Sequence, residues 1–360
     1  MGYSLGIDLG TTTCTVARRQ GSSVEVSPVG EAGAALPAVA LPTADGRVLV
    51  GDEADAHSIY EPPLVARHLL GRLGDGAPID VDGHPVDALG LTAALLGAAA
   101  DRAAPAPGAA PDHVVVTFPL EPGTGPEDLM SRAADVAFGA TTTLVPAPIA
   151  AVARTAAVHD LGDDALVAVV DLGGATVDVA LVRRTPTAFD LIGDPAVLPD
   201  LGGVDLDGAV LSLVEGAIGD VSSMVDPADG AAMLSLRRLR ASCRAAKERL
   251  STHTTAIVEV AVPHARGRVE ITREAFERTI EPALGEATDL VESTIDAAGL
   301  TPPDLRAVVL TGGTGRIPLV TRLLTDRLGL PVLREDAPET TAALGAAMFA
   351  DVHDAVGAAG

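Results

Sequence analysis

Aromatic residues are nearly absent from this sequence of 360 residues, which contains no tryptophan, two tyrosines and five phenylalanines. Hydrophobic residues nevertheless make up 48% of the chain. The core must therefore be built from aliphatic side chains, which bury well without an aromatic contribution. A chain of this length favours two domains over one, and each domain could bury a core of ordinary size.

Cysteine is also scarce. Cys14 and Cys243 lie far apart and form no C-x-x-C pair, which argues against a disulfide framework and against a zinc site. The first residues show no basic segment followed by an apolar leader, and no apolar run approaches the thickness of a bilayer. From these features we expect a cytoplasmic protein that does not enter a membrane.

Basic residues are outnumbered, with 25 Lys and Arg against 49 Asp and Glu, for a formal net charge of -24. This balance argues against a broad nucleic-acid surface and against binding to anionic membranes, because both need clustered Lys and Arg. The sequence also lacks G-x-x-x-x-G-K-S/T, G-x-S-x-G and H-E-x-x-H motifs, and a G-x-G-x-x-G motif after a strand. A small anion would have to be bound by local donors and a metal ion.

The strongest internal signal is a repeat of the frame Asp-Leu-Gly-x-x-Thr, at Asp8–Thr13 and again at Asp171–Thr176. The two copies follow apolar strands predicted at Ser4–Ile7 and Leu166–Val170, and alternating residues come after each copy. A unit of strand, glycine turn and strand is therefore built twice. We predict two related lobes that face each other across a cleft.

The composition of these turns suits the binding of phosphate. Glycine lets backbone N–H groups approach a phosphate closely, and threonine hydroxyls add further donors. The aspartates Asp8 and Asp171 supply hard oxygen atoms suited to magnesium, directly or through its waters. A single D-L-G turn is commonly only a tight turn, but two copies in matching frames favour a phosphate site.

Periodicity and turn signals predict further elements along the chain. The predicted helices are Pro62–Leu73, Leu89–Arg102, Pro126–Phe138, Asp229–Leu250 with a cap at Asp226-Pro227, and Arg273–Ala298. The predicted strands are His113–Phe118, Ile257–Val262, Arg268–Ile271 and Val308–Leu310.

Three other patches could meet a nucleotide. The loop Leu310–Pro318 could set an Arg guanidinium against a base, the helix Leu234–Ser251 carries a basic stripe, and Gly202-Gly203 could close a phosphate pocket. Each also has an ordinary interpretation, as a strand-to-helix turn, a solvated helix face or a simple turn of the chain. Taken one at a time, the patches leave both interpretations open.

In this order, the motifs resemble the nucleotide-binding domain of the seventy-kilodalton heat-shock chaperone family, within the actin and sugar-kinase ATPase superfamily. The matching motifs are Gly6–Thr12, Val50–Ala54, Leu69–Arg72, Val116–Pro119, Pro148–Ala151, Asp171–Asp178, Leu201–Asp207, Ala246–Ser251 and Thr311–Pro318. The resemblance implies an α/β, actin-like ATPase fold with two duplicated RNase H-like lobes and inserted subdomains around a central nucleotide cleft. The implied boundaries are lobe I at 1–165, with its insert at 38–111, and lobe II at 166–360, with core segments 166–207 and 286–360 and an insert at 208–285.

The same resemblance implies ATP or ADP and Mg as ligands and assigns roles to the matched positions. Thr11, Asp171 and Arg67 would be catalytic, and Asp8 and Asp171 would hold Mg through water. The implied nucleotide-binding residues are Gly10, Thr11, Thr12, Thr13, Gly173, Gly174, Ala175, Thr176, Gly202, Gly203, Arg244, Lys247, Ser251, Gly312, Gly313, Thr314, Arg316 and Glu339.

The sequence departs from the family pattern at several of these positions. Arg67 stands where the family has a catalytic Lys, Ala147 where it has Glu before Pro, and Arg244 where it usually has a ribose-binding Glu. Arg keeps the charge but not the compact geometry of an ammonium group, so the exchange is not conservative at a phosphate. The first two changes should lower turnover more than affinity, since phosphoryl transfer depends on positioning and electrostatics. The chain also stops at Gly360, so we expect no peptide-binding domain.

The leading hypothesis is a slow ATPase that acts as a nucleotide-dependent conformational switch read by a protein partner or co-chaperone. The first alternative is a catalytically inactive nucleotide-binding module, and the second is a filament-forming relative of actin. A small-molecule kinase ranks last, because we find no substrate-binding signature. The sequence does not give the partner or the oligomeric state.

Overall fold

The computed structural model describes residues 2–58, 60–70, 78–81, 83–120, 126–139, 142–221, 223–226 and 228–350. Gly71 and Arg72 of the predicted first insert, and Pro227 of the predicted helix cap, lie outside the described residues. The same is true of residues 351–360.

The described residues of the first half form strands and helices, with a short 3-10 helix at Pro62–Leu64. In chain order the elements are β1 (Ser4–Leu9), β2 (Thr13–Gln20), β3 (Ser23–Ser27), β4 (Ala35–Pro37), β5 (Ala40–Pro42), β6 (Val48–Val50), α1 (Asp52–Ser58), β7 (Ile79–Val81), β8 (His84–Val86), α2 (Ala88–Ala103), β9 (His113–Phe118), α3 (Pro126–Phe138), β10 (Thr142–Pro146) and α4 (Ala147–Val158).

The second half has 3-10 helices at Pro302–Asp304, Gly313–Arg316 and Pro338–Thr340. Its other elements are β11 (Ala165–Leu172), β12 (Thr176–Arg184), β13 (Phe189–Pro199), α5 (Gly203–Ile218), α6 (Gly230–Leu250), β14 (Thr255–Val262), β15 (Ala265–Thr272), α7 (Arg273–Ala297), β16 (Ala307–Thr311), α8 (Pro318–Leu328), β17 (Val332–Leu333) and α9 (Thr341–Phe349).

The two main sheets have the same connectivity. In the first sheet the strand order is β10-β9-β1-β2-β3, with β4 also paired to β2, and in the second it is β17-β16-β11-β12-β13. In each sheet three consecutive strands form an antiparallel meander, and two further strands extend the sheet in parallel beyond the first of them. The fold is therefore a mixed α/β structure in which the repeat seen in the sequence corresponds to two sheets of one design.

Helices α4 and α9 lie between these sheets. α9 packs against β1, β2 and α4, and the small side chains Ala17, Ala343 and Ala347 pack together in this contact. Small residues allow helix and strand backbones to approach closely. The predicted boundary assigned residues 286–360 to the second lobe, but α9 within that range packs on the first sheet. The chain thus crosses back to the first half near its end.

Aliphatic side chains form the core of both halves, as the composition requires. Phe276 is the single aromatic among the largest fully buried side chains, and the others are Leu, Ile and Met. One cluster surrounds the second sheet with α5 to α8, and another surrounds the first sheet with α2 and α3.

Each half also carries inserted elements. The first half inserts the β5–β6 and β7–β8 hairpins with α1, and the second inserts α6 and the β14–β15 hairpin. The two inserts touch where Arg237 Nη1 on α6 donates a hydrogen bond to the carbonyl oxygen of Tyr60 at 3.3 Å. Within the described ranges, none of the helices combines the length and apolar character that a membrane-spanning helix needs.

Candidate functional site

The two Asp-Leu-Gly turns have the same local geometry. The Gly10 amide donates to the Thr13 carbonyl at 2.9 Å, and the Gly173 amide donates to the Thr176 carbonyl at 3.1 Å. Each turn joins the first two strands of its sheet, after β1 in one case and after β11 in the other. The duplicated strand–turn–strand unit predicted from the sequence is therefore confirmed as structure.

The turns also meet each other. A β-carbon on Gly174 would lie 2.2 Å from Thr12 Oγ1, which is far closer than two such atoms can approach. Only glycine permits this contact between the halves. The predicted phosphate-binding residues of both lobes therefore lie in one crevice.

The aspartates of the two turns interact electrostatically across this crevice. Burial raises the pKa of Asp8, and a hydrogen bond from Thr117 partly offsets this rise. Burial raises the pKa of Asp171 to about 8, with a smaller contribution from the negative charges of Asp178 and Asp8. A hydrogen bond from Thr311 lowers this pKa and so partly offsets the rise. The charge of Asp8 acts on Asp171, so the two aspartates of the repeated turns lie near each other.

Three members of this cluster were not singled out as site residues from the sequence. Thr117 and Thr311 lie on the parallel strand beside each aspartate, so the two Asp–Thr pairs are equivalent. Asp178 lies directly across the β11–β12 ladder from Asp171 and accepts a hydrogen bond from Thr176 Oγ1 at 2.7 Å. The usable signal was a threonine at the end of each neighbouring apolar strand, in V-T-F-P and L-T-G-G.

The donor set suits a hard cation. Asp8, Asp171 and Asp178 offer carboxylate oxygens, and oxygen ligands are those that magnesium prefers. In the part of the chain that the structure describes, no group of three or more His, Cys, Asp or Glu side chains converges for direct metal binding. These carboxylates could hold a magnesium ion through its water shell, which is the mode that the sequence resemblance implies.

Gly202 and Gly203 lie against the second turn, at the start of α5. The Gly203 amide donates to the Gly173 carbonyl at 3.1 Å, and the Val204 amide donates to the Gly174 carbonyl at 2.9 Å. Asp205 caps this helix start by accepting from the Gly202 amide at 2.8 Å. The N-terminus of α5 is thus fixed beside the second Asp-Leu-Gly turn, and the dipole of a helix favours an anion at its N-terminus.

Lys247 connects α6 to the same place. Its side chain is 11% exposed, its Nζ donates to the Gly203 carbonyl, and it forms an ion pair with Asp207 Oδ1 at 2.8 Å. Burial raises the pKa of Asp207, and the positive charge of Lys247 opposes that rise. Asp207 is a further residue that sequence reasoning did not assign to the site.

Gly312–Arg316, within the predicted loop Leu310–Pro318, completes this side of the crevice. Thr314 Oγ1 donates to the Gly173 carbonyl at 2.7 Å. Gly312 has φ 78°, and a β-carbon on it would lie 2.3 Å from Asp171 Oδ1, so glycine is required there. Arg316 Nε donates to Glu339 Oε2 at 2.9 Å, and its Nη2 donates to the other carboxylate oxygen.

The remaining predicted residues occupy different settings. Thr11, Thr13 and Ala175 belong to the two turns. Arg244 is exposed and its Nε donates to Glu248 Oε1 at 3.1 Å, whereas Ser251 directly follows the end of α6. Arg67 lies in the first insert, where its Nη2 donates to Asp55 Oδ1 at 2.8 Å. The contacts described for Arg67 therefore do not link it to the crevice.

A cavity adjoins Asp171 between the halves. Ala147, at the start of α4, lines it together with Pro119 and Pro148 from the first half and Asp178 and Thr311 from the second. The position where the resemblance led us to expect a Glu therefore opens directly onto the aspartate cluster.

Comparison with known proteins gives a consistent result. The family model described as Hsp70 protein matches residues 138–358. Similar curated proteins include the Chaperone protein HscA homologs of Bordetella petrii and Azotobacter vinelandii, each 30% identical, and the Chaperone protein DnaK of Methanothermobacter thermautotrophicus, 27% identical. These similarities cover 97%, 97% and 96% of this chain but 58%, 57% and 59% of the respective relatives.

The chain thus spans less than two thirds of the length of these relatives, although the similarity covers almost all of this chain. The family model covers well over half of the chain and includes the second Asp-Leu-Gly turn, α6 and the Gly312–Arg316 loop. The chain therefore belongs to the Hsp70 family, whose nucleotide-binding part has an ATPase fold.

Proposed function

We propose that this chain binds Mg–ATP and Mg–ADP in the crevice, hydrolyses ATP slowly and acts as a nucleotide-dependent conformational switch. The fold we propose is the actin-like ATPase fold, with two duplicated RNase H-like lobes and an inserted subdomain in each. The observation that carries this proposal is the meeting of the two turns at Thr12 and Gly174, with Asp8 and Asp171 coupled beside them.

The phosphates are assigned to the two turns and to the start of α5. The threonine hydroxyls and the remaining backbone amides of the two turns, together with the dipole of α5, would favour an anion between the halves. This assignment covers Gly10, Thr11, Thr12, Thr13, Gly173, Gly174, Ala175, Thr176, Gly202 and Gly203.

The nucleoside is assigned to the space between α6 and the Gly312–Arg316 loop. The hydrogen bonds of Lys247 and Thr314 support this assignment, because they connect both elements to Gly203 and Gly173 of the phosphate region. The planar guanidinium of Arg316, fixed by Glu339, can lie flat against a base. Gly312, Gly313, Arg244 and Ser251 complete the proposed set.

In the proposed hydrolysis, ATP and water give ADP and phosphate. Asp171 orients the attacking water, Thr11 contacts the transferred phosphoryl group, and Arg67 would add charge if it left Asp55. Magnesium, held through water by Asp8 and Asp171, would neutralise phosphate charge. We attribute slow turnover to Ala147, since a carboxylate at that position could organise the water.

The switch is proposed to be the relative position of the lobes. Binding of nucleotide by residues of both halves favours the closed arrangement, and release favours the open one. A protein partner or co-chaperone in the cytoplasm would read the difference. We also propose that the chain takes part in chaperone activity, because its HscA and DnaK relatives are named chaperone proteins.

Isothermal titration calorimetry with ADP and ATP tests the binding proposal. We expect binding that requires Mg²⁺ and that weakens by at least tenfold, or about 1.4 kcal/mol, in Asp8→Asn. Asp326→Asn, an exposed position on α8, is the control. The absence of heat with either nucleotide in the presence of Mg²⁺ would exclude the proposal.

The contacts of Arg67 favour a second candidate, a module that binds nucleotide without hydrolysing it. Arg67 is paired with Asp55, and Ala147 supplies no carboxylate. Phosphate release under single-turnover conditions separates the two candidates. Measurable release that is lost in Thr11→Ala supports the slow ATPase, whereas release no faster than in buffer supports the inactive module.

A further inference from the structure

Thr15 on β2 places a buried hydroxyl between the first half of the chain and the second, and neither the sequence motifs nor the proposed function gives it a role. The residue is 1% exposed. Its Oγ1 donates a hydrogen bond to the main-chain carbonyl oxygen of Glu339 at 3.2 Å, although the two residues are 324 positions apart. Because buried hydroxyl groups are almost always hydrogen-bonded, Thr15 is committed to this contact.

The face of the first sheet that carries Thr15 is the one on which α9 packs. Across the β1–β2 ladder Thr15 lies directly opposite Asp8, and Ala17 lies directly opposite Gly6. Residues directly opposite each other share a face, and so do residues two apart along a strand. α9 contacts Ala17, and a β-carbon on Gly6 would lie 2.4 Å from the Ala343 carbonyl oxygen. The start of α9 is therefore held against this face at backbone distance.

Glu339 lies in the 3-10 helix Pro338–Thr340, which leads directly into α9, and it connects Thr15 to Arg316. Its main chain accepts the hydrogen bond from Thr15. Its side chain accepts from Arg316 Nε at 2.9 Å and, through the other carboxylate oxygen, from Nη2. Two parallel hydrogen bonds of this kind fix the plane of a guanidinium group as well as its position. Two successive contacts thus join β2 to the guanidinium group.

Local hydrogen bonds shape the 3-10 helix itself. The Thr340 amide donates to the Ala337 carbonyl oxygen at 2.9 Å, and Thr340 Oγ1 donates to the same oxygen at 2.8 Å. These bonds set the conformation of the segment, but they do not fix where it lies relative to the first sheet. The hydrogen bond from Thr15 does so, because its donor belongs to β2.

We propose that Thr15 is a positioning residue for the nucleoside and that it acts on Arg316 through Glu339. This inference rests on the proposed nucleotide site. A guanidinium group stacks on a base through its flat face, so a displaced Glu339 would turn Arg316 out of the stacking orientation. Since Asp8 lies opposite Thr15, the same strand pair sets the distance between the first phosphate turn and the arginine. The first half of the chain thereby contributes to the binding of the nucleoside.

A double-mutant cycle tests this inference by calorimetric titration of Mg–ADP into the unaltered chain, Thr15→Val, Arg316→Ala and the double variant. Valine keeps the size and branching of threonine but cannot donate a hydrogen bond. With Arg316 present, we expect Thr15→Val to weaken binding by about fivefold or more, since the Glu339 carbonyl loses its donor. In the Arg316→Ala background the loss should be less than about twofold, because the group that Thr15 positions is gone.

Three further variants distinguish positioning from a general loss of stability. Thr15→Ser retains the hydroxyl and should keep Mg–ADP affinity within about twofold of the unaltered chain. Thr92→Val is the matched control, because Thr92 is also buried and its Oγ1 donates to the Ala88 carbonyl oxygen at 2.8 Å, within α2. It should lower the melting temperature without changing Mg–ADP affinity. Thr15→Ala replaces Thr15→Val in the cycle if the valine variant does not fold.

The outcomes separate this inference from the proposed function. A loss in Thr15→Val that nearly vanishes without Arg316, and that is absent in Thr15→Ser and Thr92→Val, supports the inference. If Thr15→Val binds Mg–ADP as tightly as the unaltered chain, or loses equally with and without Arg316, the inference is wrong and the nucleotide site stands. If Mg–ADP does not bind to the unaltered chain, both proposals are wrong.

Discussion

At the scale of single residues, Asp171 makes the stability of the chain depend on pH. Its pKa is about 8 in the folded chain, through burial and the charges of Asp178 and Asp8, against an ordinary value of 3.8. Between pH 4 and pH 8 the folded state therefore holds a proton that the unfolded state has lost. Since stability falls with pH wherever the folded state binds more protons, stability should decline as pH rises towards 8.

The replacement Asp171→Asn removes this ionisation while keeping the size of the side chain. We expect the melting temperature of the variant to exceed that of the unaltered chain by a margin that grows from pH 5 to pH 8. Thermal melts of Mg²⁺-free and nucleotide-free protein at four pH values measure this margin, with Asp326→Asn as the exposed control. A margin that stays constant with pH would contradict the electrostatic account of the aspartate cluster.

Replacing Ala147 with an acidic residue should raise the rate of ATP hydrolysis. Its side chain lines the cavity beside Asp171, so a longer acidic side chain has room to enter it. In Ala147→Glu we expect single-turnover hydrolysis to rise by about tenfold to a hundredfold, the lower part of the range for a positioned acid–base group.

The matched variant is Ala147→Gln, which has the same length without the charge. Hydrolysis rates are measured with radiolabelled ATP at saturating Mg²⁺. Equal rates in the Glu and Gln variants would mean that a carboxylate at this position does not assist the reaction.

At the scale of elements, α6 joins the nucleoside side of the crevice to the contact between the inserts. Its Arg237 donates to the Tyr60 carbonyl at 3.3 Å. Hydrogen bonds from a charged donor contribute about 1.5–3 kcal/mol at most, and less where solvent competes. We expect Arg237→Ala to release a fluorescent ADP analogue about twofold to tenfold faster in stopped-flow experiments.

Arg238 is the control for this prediction. It is the next residue on the same helix and its side chain is exposed. Arg238→Ala changes helix composition and charge in the same way. Release that accelerates equally in both variants would trace the effect to charge and not to the contact between the inserts.

The elements that the sequence predicted well have strong local patterns. Predicted helices at Pro126–Phe138 and Arg273–Ala298 correspond to α3 and α7 within one residue, and the strand His113–Phe118 is β9. The helix cap predicted at Asp226 lies instead at Asp229, whose side chain accepts from two backbone amides. Repeating apolar positions identify such elements, but capping is decided by local geometry that spacing does not resolve.

The elements that were missed depend on distant partners. β13 contains Gly193 and Pro195 and is largely exposed, and its stability comes from antiparallel pairing with β12. Of the predicted helix Pro62–Leu73, Pro62–Leu64 is a 3-10 helix, Ala66 forms a bridge with Ala40, and residues 71–73 lie outside the described residues. Tertiary pairing overrides local propensity in both places.

The site shows the same difference between local motifs, which the sequence predicts, and contacts between distant residues, which it does not. The two turns were readable because each is a contiguous motif, and glycine at a turn has a direct physical reason. Thr117, Thr311 and Asp178 join the aspartates only through strand register, which a single sequence does not contain. Spatial neighbours from different strands were therefore the part of the site that sequence reasoning missed.

At the scale of the whole molecule, the contact between Thr12 and Gly174 should control closure of the lobes. A β-carbon on Gly174 would lie 2.2 Å from Thr12 Oγ1 and 2.4 Å from its Cγ2. Because backbone on both sides fixes these turns, Gly174→Ala should push the halves apart. We expect Mg–ADP affinity to fall by at least tenfold in calorimetry and hydrogen exchange at both turns to accelerate.

Two further variants decide whether separation of the lobes is the cause. Gly216→Ala on α5 is the control, because its added β-carbon meets nothing within 4 Å and alanine favours a helix. In the double variant Thr12→Gly/Gly174→Ala the bulk is exchanged across the contact, so closure should return and affinity should recover substantially. If the double variant binds as weakly as Gly174→Ala, the loss is local to the second turn, and the two halves do not communicate through this contact.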